Sequence, residues 1–347
     1  MHSTKRFYHQ LIIIILLIIF PLVMIYYNGK RTIDGITWGA QFDTSVEGQG
    51  PVNSVDLDTE TSKIDRPQKL LFGVYDPDDV FQSQEVFEIE QLYISWVSYD
   101  KTQLIKDLNA IISDGDSPLI TIEPWPRKES ERNLMKDIAN GNYDDIIGDL
   151  CSVIENVQTR MYLSWGHEMD QDLTERYPWS DVSPHNFVDA YHYVVDKLNN
   201  CSESVEWIWN PVAKEGSQKY WPGNEYVDYI GLPVYSFPQW DNQFYNYTRS
   251  FTQTFGEKYD LVSDYGKPIL ITEFGVTGST DFQVYWLQQA FTSFVDYPLL
   301  RGVIFFHARD TEGAWGNQLP TPDWRTDTTT ILSLVEWYQR ESLPVEN

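Results

Sequence analysis

The chain has 347 residues and a formal net charge of −26, with 25 Lys and Arg against 51 Asp and Glu. Nucleic-acid phosphates would be repelled by such a surface, so a DNA or RNA partner is excluded and a neutral partner such as a glycan is favoured. Thirteen Trp and 22 Tyr are a heavy aromatic load. Most should pack in the core, and the remainder suit stacking on the C–H faces of sugar rings.

The N-terminal segment is strongly apolar. Residues 11–27 read LIIIILLIIFPLVMIYY without a charge, which reaches the lower end of the roughly 17–25 residues that span a bilayer. A signal-peptide core is usually shorter and is followed by a cleavage site of small residues, which is missing here. We predict an uncleaved membrane anchor in residues 1–31, with the transmembrane helix at 11–27. A cleaved signal, which would release a secreted protein, is the alternative. Lys-Arg pairs flank the segment on both sides, so the positive-inside rule does not fix its orientation.

The next stretch is polar. Residues 32–66 are rich in Thr, Asp, Gly, Ser and Gln and show little hydrophobic periodicity. Such a composition predicts a flexible linker. The folded domain should then occupy residues 67–347.

Eight short apolar runs follow, separated by longer amphipathic stretches such as FVDAYHYVVDKLNN. The runs are LLFGVYD from Leu70, LYISWVSYD from Leu92, PLITIEPW from Pro118, RMYLSWGHE from Arg160, VEWIWNP from Val205, VDYIGLPVY from Val227, PILITEFG from Pro268 and LRGVIFFHA from Leu300. Each has the length and the β-branched or aromatic content of a strand. Eight strand–helix units predict an α/β fold of the (β/α)₈ TIM-barrel type, whose typical size is ~250 residues. A doubly wound open sheet would show a Gly-rich first turn, and none is present.

The two cysteines are too few for a disulfide scaffold. Cys151 lies beside Ile147, Leu150 and Ile154 at helical spacing, which predicts a buried thiol. A Cys151–Cys201 bridge, permitted outside the cytoplasm, is the alternative.

Polar residues end most of the predicted strands. They are Asp76, Glu123, Trp125, His167, Glu168, Asn210, Tyr235, Glu273 and His307. In a TIM barrel these ends open into the active-site face, so their side chains are candidates for chemistry. WGHEMDQ does not predict a zinc site. The metalloprotease signature needs a second His where Gln171 stands, and it lies on a helix, whereas this stretch follows a predicted strand.

Two of these residues, Glu168 and Glu273, close predicted strands 4 and 7. A protonated carboxyl can give a proton to a glycosidic oxygen, and an ionised one can attack or stabilise the oxocarbenium-like centre. Their environments must therefore hold the two pKa values apart. A single Glu at a strand end is more often a solvated or salt-bridged rim residue, but two across one barrel mouth favour glycoside hydrolysis.

From Leu70 to Gln339 the chain resembles glycoside hydrolase family 26, a family of retaining (β/α)₈ glycosidases. The matching stretches, in the family's order, are WGHEMD, RYPWS, SPHNFVDAYHYVVD, WIWNP, KYWPGNEYVDYIGLPVY and KPILITEFG. The resemblance implies that Glu168 is the acid/base and Glu273 the nucleophile. Asp170 departs from the family's usual Asn, which puts sugar specificity in doubt more than the reaction. The form of these motifs resembles a branch found in exopolysaccharide-producing bacteria.

Further substrate-binding residues are implied by the same resemblance. His167 would orient the catalytic carboxylates and the sugar, Tyr235 would hydrogen-bond the nucleophile, and Trp315 would floor the sugar subsite beside the scissile bond. Trp179 matches an aromatic residue on the loop after strand 4. Trp125 and Asn210 are candidates because they end predicted strands; capping strand 3 is the alternative role of Trp125 and Glu123. His307 is at least as well explained as a satisfied strand-end histidine, and Trp221 and Trp240 either bind sugar at the rim or pack loops.

These observations predict an extracytoplasmic, membrane-anchored, retaining endo-β-glycanase without cofactor or metal. A β-1,4-linked glycan is the expected substrate, β-mannan first, with mixed-linkage β-glucan, a cellulose-like exopolysaccharide or xylan as alternatives. Polysaccharide synthesis or export machinery is a candidate partner. A catalytically silent glycan-binding component of an export system is the alternative of another class.

Overall fold

A computed structural model describes residues 69–81, 84–128, 133–171, 176–180 and 182–342. The predicted anchor at 11–27 and the predicted linker at 32–66 lie outside the described residues. Within the described ranges, no helix combines the length and the apolar character that crossing a membrane requires.

Eight parallel strands close into a barrel in which each strand pairs with its neighbour in sequence and β8 pairs with β1. The strands are β1 (Leu71–Tyr75), β2 (Ile89–Ser95), β3 (Ser117–Glu123), β4 (Met161–Trp165), β5 (Val205–Trp209), β6 (Tyr229–Ser236), β7 (Ile269–Val276) and β8 (Leu300–Phe306). This order confirms the predicted (β/α)₈ fold.

Helices connect the strands. In the described residues they are α1 (Lys101–Asp114), α2 (Leu134–Ala139), α3 (Asp144–Ile154), α4 (Pro184–Asn199), α5 (Pro238–Tyr245), α6 (Phe251–Val262), α7 (Thr280–Ser293) and α8 (Thr328–Ser342). Their ends follow local chemistry. The Ser250 and Gln253 side chains form a reciprocal capping box at the start of α6, which satisfies backbone donors that a helix leaves open.

One layer of mostly apolar side chains fills part of the barrel interior. Six buried residues form it, and two partly buried residues pack against them: Ile89, Leu119, Tyr162, Ile208, Leu270 and Ile304, with Leu71 and Tyr229. Each of the eight strands therefore contributes one residue to this layer. A TIM-barrel interior is filled by such layers and is not an open pore. A second, larger cluster packs the helices onto the outside of the barrel.

Strand β2 starts earlier than predicted, at Ile89 rather than Leu92. The polar sequence before Leu92 hides it, because Gln91 points inside the barrel. The Gln91 amide donates to Thr121 Oγ1 (3.0 Å) and to the Tyr93 hydroxyl (3.1 Å), so its burial leaves the donor satisfied.

The prediction of a free thiol is wrong, because Cys151 and Cys201 form a disulfide. The bond ties α3 to the segment that follows α4 and spans 50 residues of sequence. Helical spacing placed Cys151 against the core, but spacing within one helix gives no information about a partner from another.

Removing this bond should destabilise the barrel. In the chain-entropy picture, a cross-link over a loop of this size contributes about 2–4 kcal/mol by restricting the unfolded chain. We expect Cys151→Ser with Cys201→Ser to lower the free energy of unfolding by that amount in urea titrations. Wild type reduced with dithiothreitol should approach the double variant. Equal unfolding midpoints for the oxidised wild type, the reduced wild type and the double variant would contradict the bond's contribution.

Candidate active site

A cleft of about 590 Å³ opens at the carboxyl ends of the strands. Five of the residues predicted to act on substrate line it together: His167, Glu168, Tyr235, Glu273 and Trp315. The strand topology brings them together from β4, β6, β7 and the segment after β8, which is the face where TIM barrels place their chemistry.

Glu168 reaches the cleft through a tight backbone turn after β4. Gly166 and Glu168 both have left-handed backbone angles, with φ of 61° and 53°. The Gly166 amide donates to Ile122 O (3.0 Å) and the Glu168 amide to Asn210 O (2.7 Å), so both neighbouring strand ends hold the turn. A left-handed non-glycine residue is uncommon and is typical of functional sites. The turn presents a carboxyl that is only 8% exposed.

Glu273 reaches the cleft from β7. The register of β7 shifts against β6 between Leu232 and Pro233, and against β8 between Ile271 and Phe274. Such irregularities re-aim side chains beside active sites. Glu273 Oε2 accepts a 2.7 Å hydrogen bond from the Tyr235 hydroxyl, the contact that the family resemblance implied.

The surroundings give the two carboxyl groups different acidities. Burial, followed by the charge of Glu273, raises the pKa of Glu168 to about 8. Burial also raises the pKa of Glu273, but the hydroxyls of Tyr235 and Tyr93 oppose that rise because they favour the ionised carboxylate. Glu273 therefore ionises first. The two environments therefore favour a carboxylic acid at Glu168 and a carboxylate at Glu273.

His167 is a neutral residue in this site. Burial, and then the charge of Arg176, lower its pKa to about 3. Its Nε2 lies 3.3 Å from the Tyr177 hydroxyl, while the buried Nδ1 has no partner among the described protein groups. A neutral imidazole can orient a sugar hydroxyl without adding charge near the carboxyl pair.

Trp315 is held by an acidic residue and by other aromatic rings. Its Nε1 donates to Asp310 Oδ2 (2.8 Å), which also accepts from Trp324 Nε1 (3.1 Å). The Trp315 ring meets the Tyr235 ring edge to face, with 5.7 Å between centroids. Because Tyr235 contacts the nucleophile candidate, this ring stands directly beside the carboxyl pair.

Truncating this ring should damage turnover more than stability. We expect Trp315→Ala to lower kcat/KM on the order of 10²-fold, because the sugar loses the surface that positions it. The denaturation midpoint should move little, since the ring is only partly buried. The matched control is Trp337→Ala, which removes a surface Trp of α8 that is 36% exposed. Wild-type turnover per folded molecule in Trp315→Ala, with a large loss of stability, would make Trp315 a core residue.

Three residues predicted to contact the substrate do not line the cleft. Trp179 is fully buried and donates to His167 O at 2.7 Å. Trp125 stands behind Glu123 and donates to its Oε2 at 2.9 Å; Glu123 itself lines the cleft. Asn210 is buried and accepts from Thr272 Oγ1 at 3.1 Å. Trp179 and Asn210 are thus buried supports of the site, whereas a substrate contact of the partly exposed Trp125 stays a prediction.

His307 and Asp76 also stay out of the cleft. His307 is buried, with Nδ1 3.5 Å from Asp76 Oδ1 and Nε2 3.1 Å from Thr326 O. Their role is therefore structural. The His167–Glu168 pair follows strand β4 and does not lie on the helix that the zinc signature requires.

The sequence interpretation missed the cations that line the cleft, among them Arg176 and Lys258. Arg176 donates to Ala314 O (2.9 Å) and approaches Asp310 (3.8 Å), which ties the loop after β4 to the loop after β8. Lys258, from α6, donates to Val212 O, and burial lowers its pKa to about 8. Neither residue follows a strand directly, so the strand-end rule had no means of finding them.

Asp170, the departure from the family's usual Asn, has a clear role. Its carboxylate accepts from the Val212 amide (2.8 Å), the Ala213 amide (3.2 Å) and the Ser217 hydroxyl. The charge is buried but satisfied by three donors, and it fixes the loop after β5 next to the acid/base candidate.

A closed (β/α)₈ barrel with a buried carboxyl pair at its mouth is an architecture that glycosidases use, and known proteins agree. No family model matches the sequence. Endoglucanase H of Acetivibrio thermocellus is 26% identical over 236 residues, covering 63% of this chain and 25% of its own length. Beta-1,3-xylanase TXYA of Vibrio sp. is 21% identical over 231 residues, which cover 60% of this chain and 49% of the relative's length. The chain thus spans between a quarter and half of these relatives.

Solved structures give the same fold. GH26C from Muricauda sp. MAR_2010_75 aligns with a TM-score of 0.58 at 15% identity, covering 80% of this chain and 89% of its own. The GH26 beta-mannanase BoMan26A from Bacteroides ovatus aligns with a TM-score of 0.56 at 12% identity, covering 80% and 90%. The chain therefore has the fold of family 26 glycoside hydrolases.

Proposed function

We propose that the barrel is a retaining, endo-acting glycosidase of β-linked polysaccharide. The observation that carries this proposal is the pair Glu168 and Glu273 in one cleft, where burial raises the pKa of Glu168 to about 8 while two tyrosine hydroxyls favour the ionised form of Glu273. The two relatives, named as an endoglucanase and a β-1,3-xylanase, support the same class of reaction.

The reaction has two steps. Glu273 attacks the anomeric carbon while Glu168 gives its proton to the departing glycosidic oxygen, so the sugar becomes an ester of Glu273 and a shortened chain leaves. Glu168, now ionised, takes a proton from water, and that water displaces Glu273 from the same carbon. Two inversions give net retention, and both carboxyl groups return to their starting protonation states.

The substrate class is a neutral β-glycan. A β-1,4-linked chain, β-mannan first, remains the leading candidate from the family resemblance. The name of the Vibrio relative adds β-1,3-xylan, and that of the Acetivibrio relative favours a glucan, either mixed-linkage or cellulose-like.

Depolymerisation assays test the proposal directly. The full chain is incubated with mannan, lichenan, carboxymethyl cellulose, β-1,4-xylan and β-1,3-xylan, and proton NMR follows the anomeric configuration of the first products. We expect internal cleavage of at least one polymer with retention. Inverted products would overturn the mechanism. Binding without cleavage, with Glu273→Gln bound equally well, would favour the catalytically silent glycan-binding alternative.

We also propose that residues 11–27 anchor the chain in a membrane, with the barrel outside the cytoplasm where polysaccharides lie. The support is the uncharged run followed by a polar stretch. Polysaccharide synthesis or export proteins are then candidate neighbours. Fractionation of cells tests the anchor. Full-length chain should sediment with membranes, and recovery in the medium with a terminus at residue 28 or later would show a cleaved signal instead.

A further inference from the structure

Helix α5 carries an exposed aromatic surface at one end of the cleft. We call Trp240, Phe244 and Tyr245 the α5 surface. Phe244 is 57% exposed and Tyr245 is 38% exposed, although each would gain free energy by leaving water. Trp240 and Phe244 are four residues apart, so they share one face of the helix. Clustered exposed apolar residues commonly mark binding sites.

The α5 surface continues the aromatic floor of the active site. Trp240 meets Trp315 edge to face, with ring centroids 5.9 Å apart and an interplanar angle of 82°. The Phe244 ring packs against Trp240 in turn, with 4.7 Å between ring centroids. Both α5 residues line the same cleft as the two catalytic glutamates. Three rings therefore run in sequence from the carboxyl pair to the outer surface.

Buried charges hold these rings in place. Asp241 is buried and accepts from both the Arg249 amide (2.9 Å) and Arg249 Nε (3.2 Å). The Arg249 guanidinium then lies 4.3 Å from the centroid of the Tyr245 ring and 5.9 Å from that of Trp240. Arg249 pairs with Asp241 and also with Glu257, so its charge is compensated and the α5 surface itself presents aromatic rings. Rings fixed in this way lose little conformational entropy when a ligand binds.

We propose that Trp240 and Phe244 form a distal sugar-binding subsite for the uncharged β-linked glycan chain whose cleavage point lies over Trp315. This inference rests on the proposed function and adds that the protein selects chains long enough to reach α5. The flat C–H faces of pyranose rings match aromatic rings, and the continuity of the row with the cleft identifies the occupant as the same chain. Loop packing alone does not account for Phe244, because this side chain is 57% exposed.

Chain-length dependence tests the subsite. Oligosaccharides of two to six sugars are prepared from whichever polysaccharide the wild type degrades, and kcat/KM is measured for each. We expect Phe244→Ala and Trp240→Ala to lower the ratio of kcat/KM for the longest to that for the shortest cleaved substrate by about tenfold, roughly the contribution of one stacked ring. Tyr285→Ala is the matched control, because Tyr285 is 60% exposed on α7 and lies outside the cleft.

A binding assay separates the failure of this subsite from failure of the proposed function. Glu273→Gln and the double variant Glu273→Gln with Phe244→Ala are run through native gels containing galactomannan or lichenan. Retardation that weakens with Phe244→Ala supports the subsite, even if the wild type cleaves neither polymer. Equal retardation of both proteins overturns it, as does a ratio unchanged within twofold in both alanine variants or changed equally by Tyr285→Ala.

Discussion

Replacing Glu273 with Gln should abolish turnover of natural and activated substrates alike. In the proposed mechanism Glu273 is the group that bonds to the sugar, so without its charge no covalent route remains, whatever the leaving group. The loss in kcat should exceed the ~10²–10⁴-fold that removal of a general acid typically causes. The test compares a polysaccharide with an aryl glycoside that carries a dinitrophenol leaving group.

A carboxyl group of the same cleft that lies outside the proposed catalytic pair provides the matched control. Glu123 closes β3, lines the cleft, and has a pKa that burial raises, but its Oε2 is bound to Trp125 Nε1. Glu123→Gln should cost far less activity than Glu273→Gln. Equal losses would remove the assignment of Glu273 as nucleophile.

Chemical rescue with azide tests the assignment of Glu273 through the configuration of the product as well as through the rate. In Glu273→Ala a small anion such as azide can occupy the space of the missing carboxylate and displace the leaving group from that face. The glycosyl azide should then have inverted configuration relative to the substrate. An azide product of retained configuration would place the nucleophile elsewhere.

The barrel was predictable because the sequence pattern of each strand is contained within a few consecutive residues. Every strand buries apolar side chains, and eight such runs separated by amphipathic stretches restrict the topology strongly. The one displaced strand, β2, contains Gln91, whose interior hydrogen bonds are invisible in sequence. The disulfide was only the alternative in the sequence analysis for the same reason, since Cys151 meets Cys201 only after α3 and α4 have packed on the barrel.

The site was predictable only in part. Strand ends converge at the barrel mouth by topology alone, which is why Glu168 and Glu273 were found and brought together. Which way a neighbouring side chain points depends on turn geometry, so Trp179 proved to lie under the site instead of inside it. Lys258 enters the cleft from a helix, where no strand-end pattern marks it.

The pH dependence of the wild type should follow the division between the two glutamates. The raised pKa of Glu168, about 8, keeps the general acid protonated at neutral pH, so kcat/KM should fall as pH rises through that range. On the acidic side kcat/KM should fall as Glu273 gains a proton. Glu168→Gln should lose the basic limb of the profile. A basic limb that persists in this variant would belong to another group, and Lys258 would be the first candidate.

Removing the acid/base should divide the substrates by leaving group. In Glu168→Ala, hydrolysis of natural glycans should fall by about 10²–10⁴-fold because nothing protonates the departing oxygen. A dinitrophenyl glycoside needs no such proton, so its first step should survive. The ester of Glu273 should then accumulate, because no base activates water. Azide needs no deprotonation and should release the sugar as a glycosyl azide of retained configuration, opposite to the product of Glu273→Ala. Equal losses on both substrates without azide rescue would show that Glu168 is not the acid/base.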